Sequence, residues 1–343
     1  ELRLTTAIAD LAGNPLAQDV VVDFTTRATA PQVVAATSRE DFAAGALEGL
    51  VVSEVDSGAQ GGQLRLAARL QDTFDAPALA PIWNPTNPAG YVPAIADGIL
   101  NVQEQDPSIV SHSSIESYAS WGPGVVLEAR AMFVPGSRFI DVGLDATTNG
   151  NNQYIWFSTN GTGDLPGQEK ITARVREYDH TTVAIETGAT FNEWHVFKIV
   201  WTHGRAEFYV DGALVATHTD VLITLPLHAA FYKSSYSETP FWIDWIRVTP
   251  YVEAAGSFTS PVLDAQDDAA VWTDLAWSGS VPAGASASFA TRTGSTPAPD
   301  AGWSDWAPVA DDLVASPPAR FAQYRAQLAT DDPLSSAAID EVQ

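Results

Sequence analysis

The sequence predicts an all-β fold assembled from sandwiches, and three observations carry that reading. Helical periodicity is almost absent from the 343 residues. Short β-branched and aromatic runs recur instead, cut by Gly, Pro, Asn and Asp, and many alternate with the period of two that a half-buried strand requires. Finally, Asp211-Gly212 lies between two alternating segments. That is a strong short-range hairpin signal, because both turn residues must tolerate φ > 0.

In chain order, residues 1–27 stand apart. Leu2-Arg-Leu-Thr-Thr6 reads as a strand, Ala12-Gly-Asn-Pro-Leu16 as a loop and Val20-Val-Val-Asp-Phe-Thr-Thr26 as a second strand. This segment resembles the last strands of bacterial Ig-like domains. Two strands alone are marginal in water, so they are expected either to pack on the rest of the chain or to be the end of a domain cut from a longer protein. Residues 28–70 read as linker and edge strands, with a short helix or linker over residues 30–44. Within them, Asp41-Phe-Ala-Ala-Gly-Ala-Leu-Glu-Gly-Leu-Val-Val52 and Gly62-Gln-Leu-Arg-Leu-Ala67 have the form of an edge hairpin. That hairpin is expected to pair with the C-terminal unit, leaving the segment between as an insertion.

Residues 71–252 hold the clearest strands. The stretch opens with Gln71-Asp-Thr-Phe-Asp-Ala-Pro-Ala-Leu-Ala-Pro-Ile-Trp83 and continues with Asp97-Gly-Ile-Leu-Asn-Val-Gln103. Gly124-Val-Val-Leu-Glu-Ala-Arg-Ala-Met-Phe-Val-Pro135 alternates, with Leu127, Ala129, Ala131 and Phe133 on one face. Residues 192–218 form three strands cut by His203-Gly204 and Asp211-Gly212, and Phe241-Trp-Ile-Asp-Trp-Ile-Arg-Val248 closes the set. The Trp194-His-Val-Phe-Lys-Ile-Val-Trp201 strand followed by Phe208-Tyr-Val-Asp-Gly212 resembles the concanavalin A-like jelly rolls, the fold of laminin-G-like domains and family-16 glycoside hydrolases. Residues 253–343 read as a smaller accessory β-sandwich. Its strands are expected at residues 256–265, 271–277, 289–294, 303–306 and 321–328. Trp201, Trp242, Trp245, Trp272 and Trp277 are expected in cores.

Composition narrows the partners. With 42 acidic and 17 basic residues the net charge is −25, and only Lys170, Lys198 and Lys233 are lysines. Such a field repels phosphate backbones and anionic membrane surfaces. There is no cysteine, which excludes disulfides, thiolate metal sites and cysteine nucleophiles. No run of 18 apolar residues occurs, so no transmembrane helix is expected. The chain starts at Glu1 and has the single methionine Met132, so it reads as a mature product or a fragment.

The resemblance implies a test for hydrolysis. Family-16 enzymes carry their acids as Glu-x-Asp-x-Glu or Glu-x-Asp-x-x-Glu on one strand face, and retaining chemistry needs two carboxyls about 5–5.5 Å apart. Neither pattern occurs. Asp141, Gly143 and Asp145 share a face, but Gly143 occupies the assisting position. The two aspartate backbones lie roughly 13 Å apart at the rise of a strand. Gln153-Tyr-Ile-Trp-Phe-Ser158 holds no carboxylate, and Glu177-Tyr-Asp-His-Thr reads as a turn. No Gly-x-Ser-x-Gly and no helical His pair is present. His195 and His218 read as structural.

Binding residues follow from the same resemblance. Trp156, Tyr154 and Trp121 are expected on a concave-face sugar platform, with Tyr232 and Tyr236 in the loop before the last strand; packing in the core is the alternative for the tryptophans. Asp244 matches the family's calcium-binding aspartate of the closing strand, with Asp75 and carbonyls of the opening strand completing a structural Ca2+ site. A hydrogen-bonded buried aspartate, with or without an arginine partner, is the other reading, since an unpaired buried carboxylate is costly. Residues 145–152 are a second calcium or sugar candidate, or a plain hairpin loop. The expected function is a non-catalytic, extracellular or cell-surface module for adhesion or polysaccharide binding, not an enzyme. A structural subunit that self-associates, and a divergent glycan hydrolase or lyase, are the alternatives.

Overall fold

The computed structural model describes residues 2–4, 20–22, 32–54, 61–86, 93–102, 112–136, 140–146, 153–159, 169–177, 182–234 and 240–343. The chain divides into two compact units, Glu1–Val34 and Ala35–Gln343. In the first, strand Leu2–Leu4 pairs antiparallel with Val20–Val22; the rest of the Ig-like expectation lies outside the described residues.

The second unit is almost entirely β and contains two sandwiches. The larger has a seven-stranded sheet in the order Thr182–Glu186, Thr172–Arg176, Tyr154–Ser158, Ile140–Asp145, Leu227–Ser234, His112–Trp121, Trp83–Thr86. Facing it is an eight-stranded sheet in the order Ala213–Val221, Gly204–Val210, His195–Thr202, Val125–Met132, Trp242–Tyr251, Ile99–Asn101, Ala94–Ala96, with Ala68–Asp72 also on Trp242–Tyr251. Alternation decides which side chains meet between the sheets. Leu127, Ala129, Ala131 and Phe133 are fully buried, as are Val142, Leu144, Ile155, Phe157 and Phe231 from the facing sheet. Phe157 packs 4.8 Å from Phe197 and 5.1 Å from Phe208, ring centre to ring centre.

The Asp211-Gly212 hairpin forms with both residues at positive φ, 49° and 79°, as a two-residue turn of matching twist requires. Asp211 does more than turn the chain. Its carboxylate accepts from the Val196 amide at 2.9 Å and from His195 Nδ1 at 2.7 Å, tying the hairpin tip to the next strand. His218 does not neighbour His195; it pairs across to Ala206 and lies edge-on to Phe208.

The smaller sandwich is built from both sides of the larger one. Its six-stranded sheet contains Ala46–Glu48 on Ala255–Thr259, then Phe321–Thr330, Ala285–Gly294 and Ala307–Pro308, with Leu263–Asp264 also on Phe321–Thr330. Its four-stranded sheet runs Trp277–Ser280, Ala338–Val342, Gly62–Leu66, Leu50–Glu54. Their shared core holds Phe42, Leu64, Phe258, Tyr324, Leu328 and Ile339. Phe42 is carried by the short helix Arg39–Ala43, whose Ser38 N-cap and Asp41 form a reciprocal capping box. Residues 68–251 are thus threaded between two parts of one small sandwich. The first and last strands of that insertion lie side by side, Leu70 opposite Val248.

Three expectations are corrected. Trp242 and Trp272 are only half-buried and belong to neither core, because Trp242 faces away from the sheet interior and Trp272 lies outside any strand. Residues 271–277 form no strand before Trp277; Asp274 makes only an isolated bridge to Leu313. Residues 303–306 are likewise not a strand, since Trp303 folds back over Gly294, where a Cβ would overlap its indole. Among the described residues no helix is long and apolar enough to cross a membrane.

Candidate functional site

The outer face of the seven-stranded sheet collects the side chains that the core rejects. Register sets them in rows. One row runs Glu116, Ala230, Gly143, Trp156, Arg174, Ala184. A flanking row runs Ser114, Tyr232, Asp141, Ser158, Thr172. The opposite flank holds His228, Asp145, Tyr154 and Arg176. Gly143 is required at the centre: a Cβ there would come within 2.6 Å of Trp156 Cα and 2.7 Å of its Cβ.

Three acids therefore gather on one face, Glu116 from strand His112–Trp121 and Asp141 and Asp145 from strand Ile140–Asp145. Glu116 and Asp141 are almost completely buried, at 1% and 2% exposure; Asp145 is half-buried. Burial pushes Asp141 up to about 7, against the Ser158 hydroxyl and the Arg174 charge. Burial, then the charges of Glu116 and Asp141, pushes Asp145 up to about 8. Glu116 is raised as well, by burial, with His228 opposing. Glu116 Oε2, Asp141 Oδ1 and Trp156 Nε1 are buried polar atoms with no hydrogen-bond partner among the described residues. His228 Nδ1 donates to the Ser117 carbonyl at 2.7 Å.

The sequence reading singled out Asp141 and Asp145 only to set them aside, and it missed Glu116 and His228. The one available signal was local: Ser114-Ile115-Glu116 alternates with its middle residue apolar.

Three of the five expected ligand aromatics meet here. Tyr154 stacks on Trp156 with ring centres 3.8 Å apart and planes 19° apart, and Tyr232 lies 6.1 Å from Trp156 at 30°. Tyr154 and Trp156 are buried, at 6% and 9% exposure, so their broad faces meet each other; Tyr232 is the half-exposed member. Trp121 is not part of this group. It has the parity of the core residue Ile115 on the same strand and lies opposite the core residue Leu227, so it packs inside the sandwich. Tyr236 lies outside the described residues.

The two acids expected to bind calcium are held elsewhere. Strand Trp242–Tyr251 bulges against Val125–Met132, so Arg130 pairs with Trp245 and Ala131 with Ile243. The extra residue, Asp244, forms an ion pair with Arg130, whose guanidinium stacks 4.7 Å from the Trp194 ring. Asp75 accepts from Arg39 Nη1 at 2.8 Å and from the Thr73 hydroxyl at 2.6 Å. No group of three or more His, Asp or Glu side chains able to hold a metal occurs among the described residues. Asp244 and Asp75 thus each face an arginine.

The outer face of the eight-stranded sheet buries a different kind of acid. Arg247 Nε donates to Glu128 at 2.6 Å, and Lys198 Nζ lies 3.5 Å from the same carboxylate. Burial alone would raise Glu128, but Arg247, Lys198 and Arg65 outweigh it and hold the group at about 2.

No protein-family model matches the sequence, and none of the curated proteins is similar to it. Solved structures similar to about half of the chain include an immunostimulatory antigen and pseudo β-1,3-glucanase of Mycobacterium tuberculosis. It is 15% identical and covers 53% of this chain and 98% of its own, with a TM-score of 0.42. A lichenase from a mouse hindgut metagenome is 14% identical over 52% of this chain and 97% of its own, at 0.42. The β-glucanase of Bacillus licheniformis is 14% identical over 53% and 97%, at 0.41. At these values no residue role transfers.

Proposed function

We propose that the larger sandwich is a non-catalytic carbohydrate-binding module of an extracellular or cell-surface protein, with the outer face of the seven-stranded sheet as its binding face. One observation carries the reading. The three buried acids of that face are all pushed toward their neutral forms. A retaining hydrolase needs one carboxylate ionised as nucleophile while its partner stays protonated. Acids displaced in the same direction do not divide those roles.

A carboxyl that keeps its proton donates a hydrogen bond as well as accepting one, which suits sugar hydroxyls. The unpartnered Glu116 Oε2, Asp141 Oδ1 and Trp156 Nε1 are the groups that a polyol would satisfy. The half-exposed Tyr232 supplies a ring at the edge of the cluster.

A glycan array of neutral plant, fungal and bacterial polysaccharides tests the proposal. Specific binding that weakens at least about tenfold in Tyr232→Ala, the loss of one stacking contact, is expected. Reducing-sugar release by the full chain from any bound glycan would overturn the non-catalytic part. Binding to no glycan at all would overturn the rest.

A further inference from the structure

The outer face of the six-stranded sheet carries an arrangement at odds with the acidity of the chain. Trp303, Arg292, Trp306 and Arg325 form a ladder. The Arg292 guanidinium lies 5.4 Å from the Trp303 ring and 4.6 Å from the Trp306 ring, and Arg325 lies 4.2 Å from Trp306. Both arginines come from paired strands, with Arg292 opposite Gln323 and Ala290 opposite Arg325.

Elsewhere arginines find acids: Arg39 has Asp75, Arg205 has Glu207, and Arg320 has Asp264. Here two guanidiniums share one indole, and neither has a carboxylate among the described residues. Arg292 donates from Nε and Nη2 to Gln323 Oε1, at 3.1 and 2.7 Å. Arg325 Nε is buried with no hydrogen-bond partner. Burial and the neighbouring Arg325 both push Arg292 below its ordinary value. Stacking on tryptophan holds guanidiniums in place while leaving their N–H edges in the plane, free for an acceptor.

An open recess of about 540 Å³ lies further along the same sheet, lined by Glu48, Glu253, Ser257, Ser286, Ser288 and Gln327 among others. Gln327 follows Arg325 by two residues on the same strand face, with Ser257 and Ser288 as its cross-strand neighbours. The floor offers hydroxyl and amide groups without a large apolar anchor. Protein partners are held mainly by such anchors; sugars are held by scattered hydroxyls and amides.

We propose that this face binds a uronic-acid glycan, with Arg325 and Arg292 taking the sugar carboxylate and Gln327, Ser257 and Ser288 its hydroxyls. The site lies on the smaller sandwich and is independent of the binding face on the seven-stranded sheet. Charge-assisted, bidentate contacts of this kind are the ones arginine makes best, and an exposed pair weakens with salt.

The test titrates tetragalacturonate, tetramannuronate and the methyl ester of tetragalacturonate into the full chain while following tryptophan emission. Binding of at least one acidic tetramer is expected, weakened by salt, and about tenfold weaker in Arg325→Gln, as for a lost charged hydrogen bond. Gln327→Ala, at an exposed position, is expected to weaken it several-fold, as for a neutral hydrogen bond, with an unchanged melting temperature. The methyl ester is expected to bind no better than Arg325→Gln binds the acid. Binding of neither acidic tetramer, or equal binding of acid and ester, overturns the inference. Loss of binding in Tyr232→Ala with none in Arg325→Gln or Gln327→Ala would move the site to the larger sandwich, leaving the carbohydrate reading intact and this one refuted.

Discussion

The two outer faces of the larger sandwich bury acids of the same kind with opposite results. On the eight-stranded sheet, Glu128 sits against Arg247 and Lys198 and stays ionised down to about pH 2, and Asp244 is paired with Arg130. On the seven-stranded sheet, Asp141 and Asp145 are buried beside other acids and rise to about 7 and 8. Burial is common to both faces and favours the neutral form in each. The deciding difference is whether a cation lies within hydrogen-bonding reach. One face is therefore a set of structural ion pairs, and the other a set of acids raised toward their neutral forms.

The largest expected effect breaks the paired face. Arg247→Met strands Glu128 as a buried charge and should cost about 3–5 kcal/mol in urea unfolding at pH 7. Next comes the pH dependence of the unpaired face. Asp141 has a folded value of about 7, above its ordinary 3.8, so the folded state holds its proton more tightly. That contribution is fully present below about pH 3.8 and is lost as pH rises through about 7, on the order of 4 kcal/mol at 1.36 kcal/mol per unit. Asp141→Asn should flatten this decline, as read from unfolding midpoints between pH 4 and 8. Glu128 has the opposite sign: its contribution is present above its ordinary 4.5 and lost as pH falls through about 2. Glu128→Gln should therefore flatten the acid limb and lower stability at every pH above it.

A smaller effect tests the geometry of the unpaired face. Gly143→Ala should cost about 1–3 kcal/mol, the usual range for overpacking, because its Cβ meets strand backbone rather than a side chain able to move. Smallest of all should be Lys198→Met. Lys198 is half-exposed and 3.5 Å from Glu128, so its removal should cost no more than about 1 kcal/mol. An effect as large as that of Arg247→Met would mean that the two cations share the work and that proximity alone does not rank them.

Sequence revealed the elements of this fold more readily than their meetings. Strand identity is local: the Asp211-Gly212 turn and the alternation through Leu127, Ala129 and Ala131 were legible because neighbours in sequence decide them. The acid cluster was not, because Glu116, Asp145 and His228 meet only through the register of three strands drawn from distant parts of the chain. A bulge hid one further meeting: it inserts Asp244 into its strand, reverses there the parity on which face assignment rests, and sets Asp244 beside Arg130.

The threading of the larger sandwich through the smaller one has a kinetic consequence. Gln63 donates to Asp340 across 277 residues, so the four-stranded sheet cannot close until almost the whole chain exists. Closing so long a loop from an unfolded chain is entropically costly and slow. A folded insertion removes that cost, because its first and last strands already lie side by side at Leu70 and Val248. The expected order of events is insertion first, host second, with the strands Ala46–Glu48, Leu50–Glu54 and Gly62–Leu66 waiting for their C-terminal partners in the meantime. Pulse-labelled hydrogen exchange should show the Val248 amide protected before that of Ile339, and the reverse order would refute it. During synthesis, those early strands are the part of the molecule most exposed to wrong partners.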